Sequence, residues 1–243
     1  LTFASQNLNL SSGNTAIYGF ATTNLNATNR ILTSAEGSLV TSSDLNLDAP
    51  VLTGQQASKY SISSIGSLSY TSASTPSVSP GGLGADLSLT GSSVSLAGNI
   101  RLASGRLAVT SVTGDLLISG SLDLSGSSRQ FVDVSRHTSG GTVTLKSENA
   151  SVRILQSAVL NLSAPVAAGN GGQLNVFSPE GSLEILGTVT ASSGANGSKG
   201  SFTLDTSSVA SLAALDEILN TGSFTNLRDY RIRTGNVVID SNA

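Results

Sequence analysis

Through most of the chain the apolar residues come in pairs one residue apart, each pair followed by small polar residues or glycine, as in VSLAGNIRLASGRLAV at 94–109. In an extended strand, residues i and i+2 face the same way, so each pair sends two apolar side chains inward and one middle residue outward. A strand this short buries little, and an isolated hairpin of such strands is marginal. The pattern makes sense only if further strands stack above and below it.

Aligning the pairs gives three columns. The first holds Leu87/Leu89, Leu107/Val109, Val143/Leu145, Leu174/Val176 and Phe202/Leu204. The second holds Val94/Leu96, Leu116/Ile118, Val152/Ile154, Leu183/Ile185 and Tyr230/Ile232. The third holds Ile100/Leu102, Leu122/Leu124, Leu160/Leu162, Val189/Ala191 and Val237/Ile239. Three short strands per turn, repeated, predict an all-β chain folded as a parallel β-helix, in which each strand bonds to its counterpart one coil away. The outward middle residues provide a check, because charge plays no part in the alignment. Arg101 falls beside Asp123, Arg153 beside Glu184, and Glu184 beside Arg231, so opposite charges are expected on neighbouring coils. Asn161 and Asn175 take outward positions where they can ladder with Thr190 and with Thr144 or Thr203.

Long excursions recur at one corner, between the third column and the next first column: 125–142, then SAPVAAGNGGQ, then SSGANGSKGS. A different insert, 207–222, reads as one short amphipathic helix on the flank. Ser207 or Ser208 can cap its start, Val209, Leu212, Leu215 and Leu219 form its apolar stripe, and Gly222 ends it. The first half is looser. Leu45/Leu47, Val51, Tyr60/Ile62 and Leu68/Tyr70 continue the theme, Leu1/Phe3 with Leu8/Leu10 start it, and 71–86 is a Pro/Gly-rich loop. No domain boundary is visible, so 1–243 reads as a single β-helix segment. It begins without methionine, as a piece of a larger protein would, and both ends are expected to be covered by further coils or a neighbouring subunit.

Composition narrows the chemistry. Charged residues are 11% and the net charge is -3, which gives no electrostatic footprint for nucleic acid or for a basic membrane-seeking face. With 38% hydrophobic residues and mean hydropathy +0.15, ordinary disorder is excluded despite the abundance of Ser, Thr, Asn and Gly. Cysteine, methionine and tryptophan are absent. That excludes disulfides, thiolate zinc sites and thiol nucleophiles, and it suits a chain that crosses a membrane unfolded. No run of about 18 apolar residues is present.

Candidate functional residues concentrate in the insert RQFVDVSRHTSGG, which supplies Arg129, Phe131, Arg136 and His137 as the ligand-contacting set. His137 is the only histidine. With Asp133 and nearby serines a Ser-His-Asp arrangement can be drawn, but no nucleophile elbow frames any serine, and the residue reads as a solvated loop histidine. A β-helix polysaccharide lyase or hydrolase would need carboxylates or bases clustered on one exposed face. Asp115, Asp123 and Asp133 are near in sequence, yet Asp123 is explained by Arg101. No cofactor, metal or acidic calcium-repeat motif is present. The Asn-x-Ser/Thr triplets at Asn9, Asn26, Asn149, Asn161 and Asn196 are the number such a composition yields by chance.

The stretches SSDLNLDAPVLTG, SRHTSGGTVTL, GSFTLD and LDEILNTGSFTNLRDYRIRTGNVVID resemble the haemagglutinin-type exoproteins of Gram-negative bacteria, in particular the filamentous-haemagglutinin family. The resemblance covers most of the chain, and its most specific part is the helix followed by a Gly-Ser-Phe-Thr turn and an Arg-Ile-Arg-Thr-Gly strand. It implies a right-handed β-helical fibre, secreted through an outer-membrane partner pore to the cell surface. It implies adhesion, aggregation or matrix building, with a host or neighbouring cell surface or a matrix polysaccharide as partner. It supplies no catalytic residue. The alternative within the same resemblance is the passive stalk of a contact-dependent toxin-delivery exoprotein.

Overall fold

The computed structural model describes residues 1–72 and 81–235. Among them, 21 strands form one continuous sheet, parallel throughout and wound as a β-helix, with one helix and one small antiparallel hairpin outside it. All three columns extend into the first half. The first-column strands run from Gly13–Ile17 through Glu36–Thr41, Lys59–Ser64, Asp86–Gly91, Arg106–Ser111 and Thr142–Ser147. They pair in register, with Leu87 beside Leu107, Leu107 beside Val143, Val143 beside Leu174, and Leu174 beside Phe202. In the second column Leu45, Leu68, Val94, Leu116, Val152 and Leu183 stack in turn. Leu116, Ile118, Val152 and Ile154 are wholly buried, and Leu183 and Ile185 nearly so.

The core is almost purely aliphatic because the interior is narrow and each coil contributes about two inward side chains per strand. A polar seam lies where the first column turns into the second. There Thr41, Ser64, Ser111, Ser147, Ser178 and Thr206 are buried in one row, with Gly91 between Ser64 and Ser111. They bond corner carbonyls of their own or the preceding coil: Ser111 donates to the Gly114 carbonyl at 2.6 Å, Ser64 to Ser67 and to Ser43 one coil back, Ser147 to Gly114 one coil back, and Thr206 to Ser208. A small hydroxyl fits the tight corner and bonds carbonyls that the turn would leave unmet.

Among the described residues one coil shows no third-column strand. The strand Leu52–Gly54 pairs directly with Asn99–Arg101, across 48 residues of the chain. The core of the Pro/Gly-rich stretch, 73–80, lies outside the described residues. Tyr70, fully buried, closes the gap with its hydroxyl directed at the carbonyls of Asn99 (2.8 Å) and Ala49 (3.1 Å). Its ring would lie 2.5 Å from a Cβ on Gly98, which is why that corner takes glycine.

Two expectations are corrected. The strand Leu227–Ile232 belongs to the first column: Leu204 pairs with Tyr230 and Thr206 with Ile232. The helix insert uses up the second and third sides of its coil, so the next strand returns to the first side. Arg231 therefore neighbours Asp205 (3.7 Å), not Glu184, which pairs with Arg153 at 2.7 Å. The helix also starts late, at Leu212–Thr221 with Ser211 as N-cap, because Ser208 and Val209 stay in the sheet opposite Ser182 and Leu183. Gly222 is the C-cap as expected; a Cβ there would sit 2.3 Å from the Val189 carbonyl. The pair Val237/Ile239 lies outside the described residues.

The helix presses Leu215 and Leu219 onto the core beside Phe224, which meets Phe202 edge to face at 6.4 Å. Arg228 and Tyr230 occupy inward positions of the last strand, where apolar residues stood in earlier coils. Asp216, buried on the helix, receives both: the Arg228 guanidinium at 2.8 Å and the Tyr230 hydroxyl at 2.5 Å. Arg228 also donates to the Phe224 carbonyl and to Asn220.

Candidate binding surface

The sides of the rod are ladders of small polar residues with sparse ion pairs. Arg101 meets Asp123 at 3.3 Å, as the register requires. Thr190 donates to Asn161 (3.3 Å) and Asn175 to Thr144 (3.4 Å). A further row escapes a reading confined to the inward pairs: Glu36, Lys59, Asp86 and Arg106 lie side by side on four successive coils, alternating in sign. These faces are flat, and their polar atoms largely bond to one another.

Relief comes from the corner inserts, which stack into a fourth, irregular wall. Gly126 donates to Ser163, Ala164 to Ser192, Gly140 to Asn170 and Gly171 to Ser198. Paired glycines let the layers close; a Cβ on Gly171 would sit 2.0 Å from the Ala191 carbonyl. From this wall the longest insert projects as an antiparallel hairpin, Ser128–Phe131 with Val134–His137. Its neck is fixed: the Ser127 amide donates to Thr138 Oγ1 at 2.8 Å, and that hydroxyl lies 2.6 Å from Ser104 Oγ of the neighbouring coil.

Cross-strand register divides the four sequence-derived candidates. Arg129 stands opposite Arg136, and Phe131 opposite Val134. Side chains alternate across a ribbon, so these four share one face. His137 is on the other face, opposite Ser128, whose hydroxyl lies 2.8 Å from Nδ1. Gln130 and Ser135 bond to each other on that same face. Thus Arg129, Phe131 and Arg136 are brought together and His137 is turned away. Asp133 is not among the groups that bond His137; it sits in the two-residue turn with Val132. That valine is 98% exposed at φ +52°, a backbone conformation that β-branched residues avoid. No sequence signal pairs Ser128 with His137, because the hairpin register appears only in three dimensions.

A cleft of about 560 Å³ runs where the helix leaves the sheet, walled by Arg153, Glu184, Leu186, Ser211, Ala214 and Ile218. The facing Arg153–Glu184 pair is already mutually satisfied. Among the described residues no three His, Asp or Glu side chains converge as a metal site, and no helix is long and apolar enough to cross a membrane. No family model, curated protein or solved structure matches the sequence.

Proposed function

We propose that this chain is a structural and adhesive segment of a secreted bacterial surface fibre, of the haemagglutinin type its motifs resemble. The observation that carries the reading is the stack: one core runs from Leu25 to Phe224, and strands pair coil to coil along each column, with one third-column step across a coil. Such a solid is stiff and extends by addition at its ends. At about 4.8 Å per coil, its nine first-column strands span roughly 40 Å. The first coil supports the same reading, because Phe3, Tyr18 and Phe20 are exposed beside the open edge of the strand Thr2–Leu10. Further coils, or a neighbouring subunit, would cover them.

In this reading the fibre leaves the cell unfolded through an outer-membrane pore and folds outside, where stacking one coil on the last draws it forward. Its flat, self-satisfied sides keep fibres apart, and the corner wall meets a cell surface or matrix. The test is display of the chain on a non-aggregating Gram-negative host through its secretion pore. Cells carrying it should aggregate and adhere to matrix-coated surfaces. Display at full surface density with unchanged aggregation and adhesion overturns the proposal.

A further inference from the structure

The hairpin has two faces of different character. One is closed on itself through Ser128–His137 and Gln130–Ser135. The other holds two guanidinium groups directly opposite each other, Arg129 and Arg136, next to Phe131 (60% exposed) and Val134 (46% exposed). Like charges across a ribbon destabilise it. Neither arginine forms an ion pair among the described residues, although the ladders elsewhere match their charges coil by coil. Where the rod's ladder sets Glu36 beside Lys59 and Asp86 beside Arg106, the projecting hairpin sets two like charges face to face.

We propose that this face binds a carboxylate-bearing polysaccharide. The inference rests on the adhesive reading above and gives it a ligand class and residues. Two planar forks, carried on Cα atoms about 5 Å apart, offer paired donors to a carboxylate. The exposed ring of Phe131 supplies an apolar plate for the C–H face of a sugar ring, and Asp133 in the turn can accept from sugar hydroxyls. A membrane fits less well, since Asp133 would carry a charge to the tip that would have to enter the interface. An acidic peptide would use the arginines and leave the aromatic plate idle. The face is open, so a single sugar would be held weakly; a repeating polymer engaging several fibres gains by avidity.

The experiment measures binding of the whole chain, immobilised at fixed density, to polygalacturonate, neutral dextran, dextran sulfate, poly-L-glutamate and phosphatidylserine vesicles. Polygalacturonate should bind, with affinity falling as salt rises, and the other four should bind at least tenfold more weakly. Arg129→Gln with Arg136→Gln should weaken polygalacturonate binding at least tenfold, and Phe131→Ser severalfold. Both should leave the melting temperature unchanged, because the hairpin stands off the core. The pair Arg129→Lys and Arg136→Lys keeps charge but loses the fork, and should still lose severalfold. Absence of polygalacturonate binding, binding unchanged in the glutamine pair, or equal binding of any comparison polymer or vesicle overturns the proposal. Displayed cells carrying the glutamine pair separate the two readings. Retained aggregation with lost polygalacturonate binding supports both; aggregation absent in cells displaying the unaltered chain sinks the fibre reading, whatever the polymer data show.

Discussion

Replacing Asp216 by asparagine tests the lock between the helix and the last described strand. The carboxylate is 7% exposed and the Arg228 side chain 18%, so the pair is largely out of water. Removing one partner of a buried ion pair costs about 3–5 kcal/mol, because it strands the other charge. Arg228 keeps its bonds to the Phe224 carbonyl and Asn220, each worth about 1 kcal/mol or more to a charged donor. An asparagine oxygen can still accept from either Arg228 or Tyr230. The expected loss is therefore about 2–4 kcal/mol, read as a lower urea midpoint by far-UV circular dichroism. Asp216→Leu with Arg228→Met removes both charges and should recover to within about 1 kcal/mol of the parent. The reasoning fails if Asp216→Asn costs under about 1 kcal/mol, or if the apolar pair is no better than the single variant.

Ile154, fully buried between Ile118 and Ile185, should not tolerate aspartate; a soluble Ile154→Asp chain with unchanged melting would contradict the core assignment. Burial raises the pKa of the Tyr70 and Tyr230 phenols and so holds them neutral, with the hydrogen bond to Asp216 adding to it for Tyr230. A raised acid stabilises the fold while neutral, so that contribution is complete below about pH 10 and is lost as pH climbs beyond. Tyrosinate absorbance should show these two phenols ionising only together with loss of the β-sheet signal. A double-mutant cycle on Arg101 and Asp123 should return under about 1 kcal/mol, since both groups are partly solvated. Gly171→Ala should destabilise the corner wall measurably, because its Cβ would meet backbone on the adjacent layer; an unchanged melting curve would show that the wall yields.

The columns were legible in the sequence because inward apolar pairs recur with near-constant spacing, and burial rewards nothing else in so narrow a core. The register between Leu87/Leu89 and Phe202/Leu204 follows from that alone. The same rule misplaced Tyr230/Ile232, for a physical reason: a helix fills two sides of a coil, so counting strands no longer counts sides. Arg228 was the available signal, since a charged residue at an inward position asks for a buried partner, and Asp216 on the helix is one. Of the candidate surface, the protruding insert and its Arg129, Phe131 and Arg136 could be read. The hairpin register, the turning away of His137 and the strain at Val132 could not, because they depend on a two-residue turn that carries no glycine.

Repetition creates a problem that the inward pairs cannot solve. If every coil presents similar leucines and valines, a coil that skips its neighbour and pairs one layer further loses little in the core. The outward residues break that degeneracy. In the native order Glu36, Lys59, Asp86 and Arg106 alternate in sign, whereas skipping one layer would set Lys59 beside Arg106 and Glu36 beside Asp86. Each exposed pair is worth under about 1 kcal/mol, but the wrong order replaces attraction by repulsion at several layers together. Selectivity among registers is a difference of energies, so weak contacts of consistent sign suffice. Steric features act in the same direction: the Tyr70 ring leaves no room for a Cβ at Gly98, and the corner inserts, unequal in length, bond to their own neighbours. The hydrophobic interior makes a rod favourable, and the thin polar skin decides which rod forms. Arg129 and Arg136 violate that skin's rule of matched neighbours, and for that reason the hairpin, rather than the flat faces, is where recognition is to be sought.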